Sequence, residues 1–167
     1  MSGHSKWSTI KHKKAITDKK KGQIFSKLSR LITLAAKKGA DPKSNPSLAQ
    51  AIENARAVNM PNENIDRAIK KVSDKNQVQL EELSIEALGP GGVALKIRAI
   101  TDNRNRTMAE IKKILMENNS KLVQPGSLTW MFNTPAIINP EEHAKLNTLF
   151  EALDDQDEVE DVISNLQ

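Results

Sequence analysis

The hydrophobic pattern of this chain changes period between Val72 and Leu83, and that change divides it. Up to Val72 apolar residues recur three and four positions apart. From Leu83 they alternate: Leu83, Ile85 and Ala87 against Ser84 and Glu86, then Val93, Leu95, Ile97 and Ala99 against Lys96 and Arg98. The first spacing lines one stripe of an α-helix and the second one face of a β-strand, so the two parts need different partners for burial. The expected fold class is α+β: an N-terminal three-helix bundle followed by a ferredoxin-like α/β sandwich with an antiparallel sheet. The expected domains are 1–72, a basic arm plus helical bundle, and 83–167, the sandwich, with 73–82 as linker. A chain of 167 residues can hold two cores of that size.

In the first part, Ile24, Leu28, Leu31 and Ala35, widened by Phe25 and Ile32, predict a helix from Asp18 to near Lys38, ended by Gly39 and the turn-rich stretch 40–46. Leu48, Ile52 and Ala55 mark a second helix over about Ser47 to Val58. Ile65, Ala68, Ile69 and Val72 mark a third, entered at Pro61. Helices this short are marginal alone, so their stripes are expected to face one another. In the second part, Gly89-Pro90-Gly91-Gly92 reads as a hairpin turn; a phosphate-cradling loop would need the Lys-Ser/Thr and following helix of a P-loop. A helix is expected to open at 103–105 and close at Asn118-Asn119, with Met108, Ile111 and Leu115 toward the sheet. A second hairpin is expected from Leu128 to Phe132 and Ala136 to Ile138. Asn139-Pro140-Glu141-Glu142 combines an N-cap, a first-turn Pro and a capping-box Glu, and starts a helix with Leu146, Leu149, Phe150 and Leu153 on one stripe. Val159 to Ile163 is expected to be a last strand.

Several chemistries are excluded by what the chain lacks. It has no Cys, so no disulfide, thiolate nucleophile or Cys-ligated metal. His4, His12 and His143 match no metal-ligand spacing, and no Gly-x-Ser-x-Gly elbow occurs. The carboxylates after Glu141 form a hydrophilic run of the kind that is normally solvated. No apolar run approaches the ~18 residues of a membrane span, and nothing resembles a cleaved signal peptide. The expectation is a cytoplasmic protein without enzymatic activity, cofactor, metal, membrane partner or small-molecule substrate.

Charge is what remains, and it is partitioned. Residues 1–80 carry 17 Lys and Arg against 6 Asp and Glu, whereas residues 81–167 carry 8 against 15. A basic block of this density attracts polyanions. Its densest part is the arm: Gly3-His4-Ser5-Lys6-Trp7, then Ile10-Lys11-His12-Lys13-Lys14, then Lys19-Lys20-Lys21. Lysines neutralise phosphates and release counterions, Ser5, Ser8 and Thr9 can donate to phosphate oxygens, and Trp7 can stack on a base. Trp7 and Ile10 can equally anchor the arm on the bundle, and the two roles are compatible.

The same segments carry a resemblance. Gly3-His4-Ser5-Lys6-Trp7 with Ile10-Lys11-His12-Lys13-Lys14, then Ala57-Val58-Asn59-Met60-Pro61, Gly89-Pro90-Gly91-Gly92-Val93-Ala94 and Thr101-Asp102-Asn103-Arg104-Asn105-Arg106-Thr107, resemble the YebC family in sequence and order. The resemblance implies an N-terminal helical domain followed by α/β domains. It also implies a role either as a DNA-binding transcriptional regulator or as a ribosome-associated factor that helps translation through difficult sequences. One departure stands out. Members of that family carry a third α/β domain between the Gly-Ser-x-x-x-Met-Phe segment, here Gly126 to Phe132, and the final helix. In this chain only Asn133 to Pro140 joins them, so the inserted domain is expected to be absent, and any function it carries is in question.

The function expected from these observations is a nucleic-acid-binding regulator of gene expression. Lys6, Lys11, His12, Lys13, Lys14, Lys19, Lys20 and Lys21 are its candidate phosphate contacts, and Trp7 stacks or anchors. Arg104 and Arg106 are a second candidate, because their loop precedes a helix N-terminus; Asn103 and Asn105 read there as caps. No helix-turn-helix signature selects DNA over RNA, so a promoter and the ribosomal RNA are both open as targets. The rival reading is a protein–protein adaptor whose acidic C-terminal helix docks a basic partner.

Overall fold

The computed structural model describes the backbone of His4 and Ser5 and residues 18–75 and 79–167. They fall into two compact units: a helical unit within Ile16–Glu81, and Glu82–Gln167 together with the backbone of His4–Ser5.

The helical unit contains α1 (Asp18–Ala36), α2 (Pro46–Ala57) and α3 (Asn62–Lys70), followed by a 3-10 turn at Lys71–Ser73. Their stripes meet as the spacing requires: Leu28, Ile32, Ala36, Leu48, Ala51, Ile52, Ala55, Met60, Ile65 and Ala68 form one buried cluster. Two polar residues fix how the helices join. The Asn45 side chain caps α2 by accepting from Leu48 N, while its Nδ2 donates to the carbonyls of Ala35 and Gly39 at the end of α1, each at 2.8 Å. The Thr33 hydroxyl, inside the bundle, lies 2.8 Å from the Ala68 carbonyl oxygen and 2.9 Å from that of Ser29, and so ties α1 to α3. Asn59, with φ of 61°, reverses the chain after α2 and lets Met60 N reach the Ala55 carbonyl.

The second unit is built from β1 (His4–Ser5), β2 (Glu81–Leu88), β3 (Ala94–Thr101), α4 (Arg104–Glu117), β4 (Lys121–Val123), α5 (Pro140–Asp154) and β5 (Val159–Ser164). The sheet order is β1-β5-β3-β2-β4; the central strands β3 and β2 are chain neighbours. β5 lies antiparallel to β3, with Ile97 opposite Val162 and a register shift after Arg98, and β4 lies antiparallel to β2. Leu83, Ile85, Ala87, Leu95, Ile97 and Ala99 face α4 and α5, which bring Ile111, Leu115, Leu146, Leu149 and Leu153 into the same core. The architecture is the α+β sandwich that the pattern predicts, with both helices against one face. Gly89 N donates to the Val93 carbonyl across the β2–β3 turn, and Gly91 has φ of 73°. A Cβ on Gly91 would sit 2.7 Å from Ile138 Cγ2, so the glycine also admits the connection leading to α5.

Two expectations are corrected. The arm was expected to belong wholly with the bundle, but His4 and Ser5 pair antiparallel with Ser164 and Ile163, placing β1 on the edge of the sheet. The second expected hairpin does not form. Thr129–Asn133 is a 3-10 helix, and Ala136 makes only an isolated bridge with Leu166. The reason is local: Ser127 Oγ donates to the Gln124 carbonyl and Thr129 Oγ1 to that of Gly126, holding the segment in turns. The edge next to β2 is instead taken by the short β4. With α5 packed and β5 paired to β3, the sheet closes directly after the 134–139 connection.

Candidate nucleic-acid interface

Of the candidate contacts, Lys6, Trp7, Lys11, His12, Lys13 and Lys14 lie outside the described residues. Lys19, Lys20 and Lys21 form the first turn of α1 behind Asp18; Lys19 and Lys21 are exposed and Lys20 half-buried. Three adjacent cations at the positive end of a helix dipole oppose that dipole and one another. They do not stabilise α1, and a phosphate anion placed beside them would.

A second basic feature of the helical unit was not read from the sequence. Between α1 and α3 lies an open cavity of about 210 Å³ lined by Phe25, Ser26, Ser29, Asn64, Arg67, Ala68 and Lys71. Arg67 and Lys71 are exposed, and neither has an ion-pair partner among the described residues; the same holds for Lys19, Lys21 and Lys70. The available signal was the spacing of Asn64, Arg67 and Lys71 along one face of α3, but which helix stands opposite is a tertiary fact.

The other candidate, Arg104 and Arg106, divides. Arg106 donates to Asp102 Oδ1 at 2.9 Å and to Glu158 at the start of β5. The hydrogen bond to Asp102, and then that to Glu158, raise its pKa above the usual arginine value and keep it charged. Glu158 also accepts from Gln156 Nε2, whose second acceptor is Glu110, while Gln156 Oε1 takes the N–H groups of Glu158 and Val159. The surrounding motif is consumed in the same way. Asn103 caps α4 by accepting from Arg106 N, and the Thr107 hydroxyl donates to that of Thr101 at 2.7 Å in a buried site. Arg106 therefore stitches α4 to β5, and only the exposed Arg104 remains available to an anion. Two other cations of this unit are paired within their own helix: Lys145 lies 3.2 Å from Glu141 and 3.6 Å from Glu142, and Lys113 is 3.9 Å from Glu117. The hydrogen bond to Glu141 and the charge of Glu142 raise the Lys145 pKa.

His143 is exposed on α5, and among the described residues no three His, Asp or Glu side chains converge on a metal position. No helix among them is long and apolar enough to cross a membrane.

A lysine-rich three-helix unit followed by an antiparallel α/β sandwich defines the class of protein. Residues 5–75 match the family described as TACO1/YebC protein N-terminal domain, and residues 80–144 that described as TACO1/YebC second and third domain. A "Probable transcriptional regulatory protein" of Prosthecochloris aestuarii is 55% identical over 141 residues, 83% of this chain and 56% of that one. One of the same name from Halothermothrix orenii is 52% identical over 134 residues, 79% of this chain and 53% of that one. The crystal structure of a conserved hypothetical protein, Aq1575 from Aquifex aeolicus, superposes with a TM-score of 0.83 at 29% identity, covering 97% of this chain and 96% of that chain. The chain belongs to the TACO1/YebC family. It spans just over half the length of these curated relatives.

Proposed function

We propose that this protein is a non-enzymatic, cytoplasmic regulator of gene expression that binds nucleic acid through its basic N-terminal region. The observation that carries the reading is the charge balance along the chain, 17 Lys and Arg against 6 Asp and Glu in residues 1–80 and 8 against 15 in residues 81–167. The helical unit, residues 16–81, holds 13 Lys and Arg against 7 Asp and Glu, and Lys19, Lys21, Arg67, Lys70 and Lys71 have no ion-pair partner among the described residues. An excess of cations without ion pairs favours a polyanion, because each phosphate contact releases condensed counterions. Lys6, Lys11, His12, Lys13 and Lys14 add basic residues earlier in the sequence, and Trp7 adds stacking or anchorage. The name shared by the relatives, transcriptional regulatory protein, supports a regulator that meets DNA. The ribosome is the other target, since ribosomal RNA offers the same phosphate chemistry.

The deciding experiment is cosedimentation of the tagged protein with ribosomes, before and after nuclease treatment, beside capture on promoter DNA. Nuclease-sensitive capture on either target supports the reading. Capture that survives nuclease and is lost in Glu151→Lys with Asp154→Lys would replace it with an adaptor docking through the acidic helix.

A further inference from the structure

We infer that the cavity between α1 and α3 is a subsite for one nucleotide of a single-stranded nucleic acid, with the base against Phe25 and the flanking phosphate on Arg67 and Lys71. The inference rests on the nucleic-acid reading above and specifies the strand form. An arm of lysines accepts any phosphate backbone, duplex or single, because charge carries no information about base pairing. The cavity differs in composition. Phe25 is half-buried against the bundle and lines the opening, so it presents a ring already fixed by packing. Base–aromatic stacking needs an unpaired base, since a paired one already has neighbours on both faces. Arg67 and Lys71 stand one turn apart on the opposite wall, exposed and without an ion-pair partner among the described residues, where they can hold a phosphate. Ser26, Ser29 and Asn64 supply hydroxyl and amide groups between the two walls for the sugar or base edge.

The cavity's floor is held rigid. Ser29 and Ala68, both lining it, are the residues whose carbonyls share the Thr33 hydroxyl, at 2.9 and 2.8 Å. The spacing of the walls is therefore set by a buried hydrogen bond before any ligand arrives, which lowers the ordering cost of binding. An open volume of about 210 Å³ suits one base rather than a duplex groove.

The test uses the full chain and three probes: a 12-nucleotide oligouridine RNA, oligothymidine of equal length, and a 12-base-pair duplex, with affinities read by fluorescence anisotropy. Phe25→Leu keeps aliphatic packing and removes the ring. It should weaken both single strands about thirtyfold, the middle of the range for a lost base stack, and leave the duplex unchanged. Arg67→Gln with Lys71→Gln changes only exposed side chains, and should weaken the single strands and flatten their salt dependence. Thermal melts of each variant establish that the fold persists. If Phe25→Leu is folded and binds single strands as the parent does, or if it weakens duplex and single strand alike, the subsite is overturned. Binding abolished by Lys11→Gln, Lys13→Gln and Lys14→Gln but untouched by Arg67→Gln with Lys71→Gln would overturn the subsite and leave the general reading standing. A parent protein that binds none of the three probes overturns both.

Discussion

Arg104 and Arg106 are two residues apart in one loop-to-helix segment, and their surroundings give them opposite uses. Arg106 spends its guanidinium on Asp102 and Glu158, while Arg104 is exposed. Arg106→Gln should therefore lower the melting temperature, because Glu158 loses its cation where β5 begins, yet leave nucleic-acid affinity as it is. Arg104→Gln should leave the melting temperature unchanged. Paired thermal melts and anisotropy titrations check both, and a loss of affinity in a fully folded Arg106→Gln would restore that residue as a contact. The distinction was not legible in the sequence. The caps Asn103 and Asn139 were, since a capping side chain acts three residues along the chain. Glu158 lies 52 residues from Arg106, and residue pattern carries no record of such a pairing.

Whole elements followed the patterns wherever the pattern was long. The helices of the bundle and α4 and α5 each carry a helical stripe, and β2 and β3 alternate on both sides of one glycine-rich turn, which separates helix from strand. The stretch Leu128 to Phe132 is apolar at four of its five positions and has no clear period, and hydroxyl-to-carbonyl bonds in the same stretch select turns. What holds that segment in place is Asn165, beyond β5. Its Nδ2 donates to the carbonyls of Met131 and Thr134 and its Oδ1 accepts from Ala94 N, with the side chain buried. Asn165→Ala leaves a buried backbone N–H without a partner, so it should cost about 1–3 kcal/mol in a denaturant titration. It should also expose the 131–134 stretch to protease; unchanged stability would mean that the segment is held by something else.

At the scale of the whole molecule, the change in hydrophobic period corresponds to two cores with separate residue sets. Exposed polar residues at 73–75 lie between them. Limited digestion with a non-specific protease should cut first between Asp74 and Gln79 and leave two resistant fragments, read by mass spectrometry. First cleavage within 133–140 would instead mean that α5 and β5 do not close the sheet. The charges divide along the sequence, and this is the central claim: phosphates are met by the basic residues of 1–80 and not by residues 81–167. The most direct test is the salt dependence of RNA affinity for the parent and for Lys11→Gln, Lys13→Gln and Lys14→Gln together. On a single strand, log affinity should fall against log salt with a slope of about −0.7 per phosphate contacted, and the triple variant should lose up to about one unit of slope per lysine that touches phosphate. A slope near zero in the parent, or an identical steep slope in the triple variant, would contradict the assignment of the arm.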